Sequence, residues 1–481
     1  MSITSALNTA MTGLTAASRA SSVVSENLAN AMTPGYAKRS LELTSSASTP
    51  GVRIGGINRN IDPAVLANRR GTEAELGGAQ VTSNFYDRMQ KLVGSVDDPF
   101  SIVSRLTNFD SSMIEAVSRP DSGPRLNDLS LQAEALADSI STAAEGLREL
   151  RTNADRSIDT QVETVNRALE DVHKLNARIM ITQAGGMDSA ALMDQRARLI
   201  DQVNEIIPVN VIQRDNGQVA LFSIGGAILL DGKPAELTFD GKPDTMPHMT
   251  QANGLLSGIE INGIPVDTSQ GGALRGGTLA AQFEVRDEYS VEAQEDLDAM
   301  ARDLIERFQD PTLDTTLGAT DPGLFTDEGN FFDPVNAIGI SNRIELNDKV
   351  SMDGASETWR LRDGLNAAAP GDAGDARLLQ AYTEALEVMR PVTSPGLGTT
   401  NVTAATLSAN LLSHFTQSSN GADQTLSFAS ASFGAMSQIE LAQAVDSDEE
   451  LQNLMLIEQA YAANAKVLTV VDELMDTLLR I

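Results

Sequence analysis

Residues able to do chemistry are few in this sequence, and they are scattered. The three histidines, His173, His248 and His414, stand far apart and form no paired metal-ligand spacing. The pairs Gly225-Gly226, Gly271-Gly272 and Gly276-Gly277 lack the Lys and Ser/Thr that complete a phosphate-cradling loop, so turns account for them. The run Asp446-Ser447-Asp448-Glu449-Glu450 lacks the spaced ligands and central glycine of a calcium loop. It suits a helix N-terminus, where the macrodipole favours negative charge. Cysteine is absent, and so is a Gly-x-Ser-x-Gly elbow. The expectation is no enzyme: no catalytic residue, no cofactor and no metal.

What remains is architecture. A length of 481 residues exceeds one compact core and suggests about three domains. Aromatic residues make up 4% of the chain, so its packing must lean on Leu, Ile, Val, Met and Ala. The net charge of -31 repels phosphate backbones and anionic lipid, which argues against nucleic acid as a partner. The acidity spares the N-terminus. Residues 1–60 hold Arg19, Lys38, Arg39, Arg53 and Arg59 against Glu26 and Glu42 alone, so copies of this segment can approach one another. No basic start followed by an apolar stretch marks a cleavable secretory signal, and no run of about eighteen apolar residues predicts membrane insertion. A cysteine-free chain also suits export in an unfolded state, because no crosslink can trap it.

Both ends carry a heptad stripe. Ile3, Leu7, Ala10, Leu14, Ala17, Ser21, Val24 and Leu28 alternate at spacings of four and three. Leu454, Ile457, Tyr461, Asn464, Leu468, Val471, Met475 and Leu478 do the same, behind a capping-box pair Ser447 and Glu450. Ordering such a segment costs roughly 1–2 kcal/mol per residue in backbone entropy. Burying eight seam residues, several only Ala or Ser, returns about 10–15 kcal/mol. The two ends are therefore expected to be loose in the monomer and to gain order among neighbours.

Between the ends the period changes twice. Helical spacing covers 64–93, 102–117 and a long stretch from Pro124 to Gly185-Gly186, seamed by Leu126, Leu129, Ala133, Leu136, Ile140, Ala143, Leu147 and Leu150. A stutter at Ala154 precedes Ile158, Val162, Val165, Leu169 and Val172. A further helix is expected at 190–206. From Pro208 the period is two, with Asp215-Asn216-Gly217 and Asn262-Gly263 as hairpin turns. Helix returns at 277–309, short strands with Asp353-Gly354 and Asp363-Gly364 turns follow an irregular stretch, and helices resume at 375–389 and from 404 onward. The expected fold is a mainly α, multidomain α+β chain with a β-rich insert. Its terminal coiled-coil core is 1–60 with 447–481. A rod-like helical domain takes 61–207, 277–309 and 374–446, and a β-rich outer domain takes 208–276 and 310–373.

One short motif is more specific. Asn27, Asn30, Thr33, Pro34, Gly35 and Tyr36 sit directly behind the N-terminal stripe and read physically as a helix stop. Together they resemble the Asn-x-x-Asn…Thr-Pro-Gly-Tyr signature of the flagellar axial family of rod, hook and hook-associated proteins. Glu458-Gln459-Ala460-Tyr461 through Leu468 resembles the closing helix of that family, although Ser447-Asp448 departs from its usual Gly-Val-Asn-Leu lead-in. Leu192 to Ile200, Ser223 to Gly232 and Gly276 to Asp287 resemble the hook-associated branch, and the Gly-x-Gly-x-Phe-Phe element of hook and distal-rod proteins is missing.

The resemblance implies a structural subunit at the hook–filament junction, secreted through the type III export apparatus with a chaperone on its C-terminal helix. Its implied partners are its own copies in a ring, the hook protein and a second junction protein. Subunit contacts then fall on Ile3, Leu7, Leu14, Val24, Leu28, Leu454, Ile457, Tyr461, Leu468, Val471, Met475 and Leu478. The rival readings are a hook or distal-rod subunit, and a secreted coiled-coil scaffold or adhesin.

Overall fold

A computed structural model describes residues 3–33, 35–45, 51–269 and 271–479, without the side chains of Leu478 and Leu479. Helix α1 (Ile3–Asn30) leads into a hairpin of β1 (Arg39–Ser45) and β2 (Val52–Arg59), then α2 (Pro63–Val93), α3 (Ile102–Ser118), α4 (Gly123–Ala184) and α5 (Ala190–Ile206). A β-rich stretch follows: β3 (Val209–Gln213), β4 (Val219–Ser223), β5 (Ile228–Asp231), β6 (Lys233–Pro234), β7 (Leu237–Thr238), β8 (Ile259–Ile261) and β9 (Ile264–Val266). Helices α6 (Gly277–Glu284) and α7 (Ser290–Phe308) are joined by a π turn at Val285–Tyr289. Then come β10 (Phe325–Asp327), β11 (Ile344–Leu346), α8 (Arg360–Asp363), α9 (Arg377–Glu387), β12 (Arg390–Ser394), β13 (Gly398–Val402), α10 (Ala404–Ala442) and α11 (Ser447–Leu479).

The 62-residue α4 is the spine. Its N-terminal half buries Leu126, Leu129, Ala133, Leu136, Ile140, Ala143 and Leu147 of the stripe read from the sequence, with Leu150 half-buried, against α2, α3, α7 and β11, in a core that α9 and α10 share. Phe109, Phe308, Phe325 and Tyr382 meet there edge to face, with centroids 5.4 to 6.0 Å apart. Its C-terminal half buries Ile158, Val162, Val165, Leu169 and Val172 in a second core with α5, α6 and the sheets β3-β4-β5-β6 and β7-β8-β9. The sequence stutter at Ala154 marks where one core gives way to the other. The helix runs on unbroken, and the layer between the cores is polar. Asp155 accepts from the fully buried Arg286 at 2.6 Å, and Arg151 donates to the carbonyls of Arg286 (2.8 Å), Met246 (3.1 Å) and Met249 (2.6 Å).

The hairpins form as the turn chemistry predicts. Asn262 (φ 52°) and Gly263 (φ 77°) close β8–β9 in register Ile261↔Ile264, and Asn216 and Gly217 turn β3 into β4. Elsewhere the sequence reading needs correction. Residues 310–373, expected beside 208–276 in one outer domain, pack into the first core through Leu317, Leu324, Phe325, Ile344, Val350 and Leu361. Their apolar residues are spaced irregularly, so no period reported which core they join. Only β10 and β11 pair in that stretch among the described residues, and the Asp363-Gly364 turn ends a helical turn. The hairpins β1–β2 and β12–β13 fall in the gaps between the expected helices, where no strand is expected; Gly55-Gly56 and the turn around Gly396 mask their alternation. Finally, Asp446 rather than Ser447 caps α11, accepting from the amides of Asp448 (2.9 Å) and Glu449 (3.2 Å).

Candidate assembly interface

The motif behind α1 forms a lock built around one amide. Asn27 is fully buried. Its Oδ1 accepts from the Tyr36 hydroxyl (2.8 Å) and the Arg39 amide (3.0 Å), while its Nδ2 donates to the Arg39 carbonyl (2.8 Å) and Glu450 Oε2 (3.1 Å). Two donors and two acceptors are matched at once, which only Asn or Gln can do, and Gln is a methylene too long. Asn30 closes the helix end by donating to the Glu26 carbonyl at 2.9 Å, and Thr33 donates to Asn30 Oδ1 at 3.3 Å. Gly35 has φ 74°, and a Cβ there would lie 2.9 Å from Arg198 of α5. Pro34 lies outside the described residues.

Charges extend the lock in two directions. Lys38 bridges Glu449 (2.8 Å) and Glu450 (3.4 Å) at the start of α11; burial alone would lower its pKa, but the two carboxylates prevail and raise it. Arg39 and Arg59 converge on Asp194 of α5, at 3.0 and 2.6 Å. The Arg39 guanidinium also stacks 4.8 Å from the Tyr36 ring centre. One helical stretch on, Asp201 takes Arg69 (2.9 Å) and Arg70 (2.6 Å), and Arg69 reaches Glu440 near the end of α10 at 3.0 Å. The Asp194 node ties the end of α1, through Arg39 and Glu26, and its hairpin to the body by ion pairs rather than by a shared apolar core, and the Asp201 node joins α2, α5 and α10 within the body.

Helices α1 and α11 pack against each other along the seam, and the contact is thin. Ala10, Ala17 and Val24 are buried, Ile3, Leu7 and Leu14 half-buried, and Leu28 exposed. Opposite them Val471 is buried, Leu454, Ile457 and Leu468 are half-buried, and Tyr461 and Met475 are 48% and 46% exposed. Leu478 falls outside the described side chains. The helices cross closely at Gly13, where a Cβ would stand 2.8 Å from the Asn464 amide. Sequence periodicity missed Ala16 and Val23, which widen the stripe, and the ion-pair nodes, which no local pattern encodes. Leu451, Met455, Leu456, Val467, Val470 and Leu474 of α11 face outward, exposed. The histidines lie apart, on α4, in the loop after β7 and on α10, and no group of three or more His, Cys, Asp or Glu among the described residues could hold a metal ion. No helix among them is long and apolar enough to cross a membrane.

An apolar helix pair of α1 and α11, locked by this motif to a helical body, suits a structural protein of the bacterial flagellar axis, and the comparisons point to that class. Residues 7–36 match the family of flagella basal body rod proteins, and 442–481 match the C-terminal family of flagellar basal body rod FlgEFG proteins. Residues 86–315 match the helical domain of flagellar hook-associated protein FlgK. The flagellar hook-associated protein 1 of Bacillus subtilis is 25% identical over 98% of this chain and 97% of its own length. The Salmonella typhimurium protein of that name is 28% identical over 48% of this chain and 44% of its own. A solved structure of the flagellar hook junction protein FlgK from Burkholderia pseudomallei aligns over 54% of this chain and 46% of its own, at 17% identity and a TM-score of 0.45. The chain is similar along nearly its whole length to flagellar hook-associated protein 1, and in residues 7–36 and 442–481 to the flagellar rod families.

Proposed function

We propose that this chain is the structural subunit joining hook to filament, and that the filament grows only once it sits on the hook tip. The observation that carries this is the terminal pair: a helical hairpin locked at its inner end, too thin to bury its own apolar residues. Exposed apolar stripes of this kind mark an interface. Packed side by side in a ring, copies would cover Tyr461, Met475 and the outward residues of α11, while the body faces away from the axis. Hook protein lies below the ring and a second junction protein above it. Before assembly the same stripe needs cover, which an export chaperone on α11 would supply, and the cysteine-free chain would pass unfolded through the type III apparatus to its place on the cell exterior.

The test uses purified chain and isolated hooks without filaments. Electron micrographs should show a thin cap of added density at the distal hook end, and a deletion strain should make hooks, release flagellin and build no filaments. Insertion along the length of the hook would make the chain a hook or rod subunit instead. Normal filaments in the deletion strain would point to an unrelated scaffold or adhesin.

A further inference from the structure

Two faces of the body, away from the terminal helices, carry opposite charge that nothing among the described residues neutralises. The first is a groove of about 630 Å3 between α2, α4 and α6, lined among others by Asn84, Arg88, Asn153, Arg156 and Gln282. Arg88 has no hydrogen-bond or ion-pair partner among the described residues. Arg156 makes one side-chain hydrogen bond, to the amide oxygen of Asn153 at 2.8 Å. No Asp or Glu is among the groove's described lining residues. In a chain with 66 acidic and 35 basic residues, two guanidinium groups on facing helices without a carboxylate are conspicuous, since a guanidinium fork is built to take one.

The second face is a row of carboxylates along the α6–α7 helix: Glu284, Glu288, Glu292 and Glu295. Glu284 accepts from the Tyr289 hydroxyl at 3.0 Å, and the other three have no ion pair among the described residues. Burial first, and then Glu284 and Glu292 on either side, raise the Glu288 carboxyl above its ordinary range. Burial, then Asp296, Asp298 and Glu292, raise Glu295 likewise. A row of this kind gains from a cationic partner.

The two faces look in different directions. Helix α2 presents Val81, Asn84, Phe85 and Arg88 to the groove. Its Tyr86, whose ring centre is 5.4 Å from that of Tyr289, points toward the acidic row. At about 100° per residue, Tyr86 lies roughly 150° around the helix from the middle of the groove-lining set. No single chain can therefore bring its own row to its own groove. We infer that the two are halves of one contact between copies of this chain, the acidic row of one subunit seating in the arginine groove of the next. Placement on different sides of α2 favours a head-to-tail contact, the kind that closes into a ring or runs on as a helix.

The inference rests on the proposed function, because it supplies the lateral contact that a ring of copies needs. Its test uses the absence of cysteine. Two full-length chains, one carrying Arg156→Cys and the other Glu288→Cys, are expressed together in place of the native gene, and isolated flagella are treated with a short bismaleimide. Crosslinked dimers that appear only when both variants are present are the expected result. Flagella that carry both chains and full filaments yet give no dimer would overturn the contact and leave the proposed function standing. A chain absent from flagella would overturn both. As a second readout, Arg88→Glu with Arg156→Glu should cut incorporation at least tenfold, and adding Glu288→Arg with Glu292→Arg should restore it; unchanged incorporation of the first pair would also contradict the contact.

Discussion

Helices α4 and α11 are both long, acidic and apolar on one stripe, yet they behave differently. Over 62 residues α4 buries a continuous stripe in two cores, with Leu136, Ile140, Ile158, Val165 and Leu169 fully enclosed. Over 33 residues α11 buries only Glu450 and Val471 among its described side chains. The difference is in what surrounds them. The helix α4 has neighbours on several sides, whereas among the described residues α11 packs along its length against α1 and meets Lys38 at its start. The body of the molecule supplies its own packing, and its ends are held by specific polar contacts at one point and left short of apolar partners along the rest.

The contrast can be broken most forcefully in the core. Phe308→Ala removes the ring that touches Phe109, Phe325 and Tyr382 and should cost about 3–5 kcal/mol, measured by urea unfolding with Trp359 fluorescence. Leu468→Ala should leave that transition nearly unchanged and abolish incorporation into flagella. Equal losses from the two substitutions would erase the distinction between body and ends.

Next in size is the joint between them. Asp194→Asn leaves Arg39 and Arg59 without their shared carboxylate and should cost about 2–3 kcal/mol, the partly exposed arginines keeping it below a fully buried pair. Faster proteolysis within residues 31–62, with the body still folded, is the expected sign. Asn27→Ala orphans the Tyr36 hydroxyl, the Arg39 amide and one Glu450 oxygen, a loss of about 1–2 kcal/mol, seen as faster amide exchange at the ends of α1 and α11.

The smallest effect is electrostatic. Glu288 and Glu295 have folded-state pKa values above their ordinary ones. Between the ordinary and the raised value the folded chain holds more protons than the unfolded chain, so stability falls as pH rises through that window. Glu288→Gln should flatten this slope by a few tenths of a kcal/mol in the isolated chain; a steeper slope would mean that the row is already neutralised.

Much of this architecture was legible beforehand because it is periodic. The seams of α4, the bounds of α5 and the Asn262-Gly263 hairpin follow from repeats of 3.6 and 2 and from residues that accept positive φ. The motif of Asn27 to Tyr36 was legible as a stop signal and as a family mark, but its role as a hub was not. Glu450, its partner, lies 423 residues further along the chain. The ionic nodes on Asp194 and Asp201 were hidden for the same reason. Residues 310–373 were misplaced because short strands and turns carry no period long enough to say which core they face.

Amide hydrogen exchange compared between free monomer and assembled flagella tests the central claim most directly. Residues 130–180 of α4 should be strongly protected in both states. Residues 3–25 and 455–475 should exchange rapidly in the monomer and become protected in the polymer. Ends as protected in the free monomer as α4, with no further gain on assembly, would contradict the account.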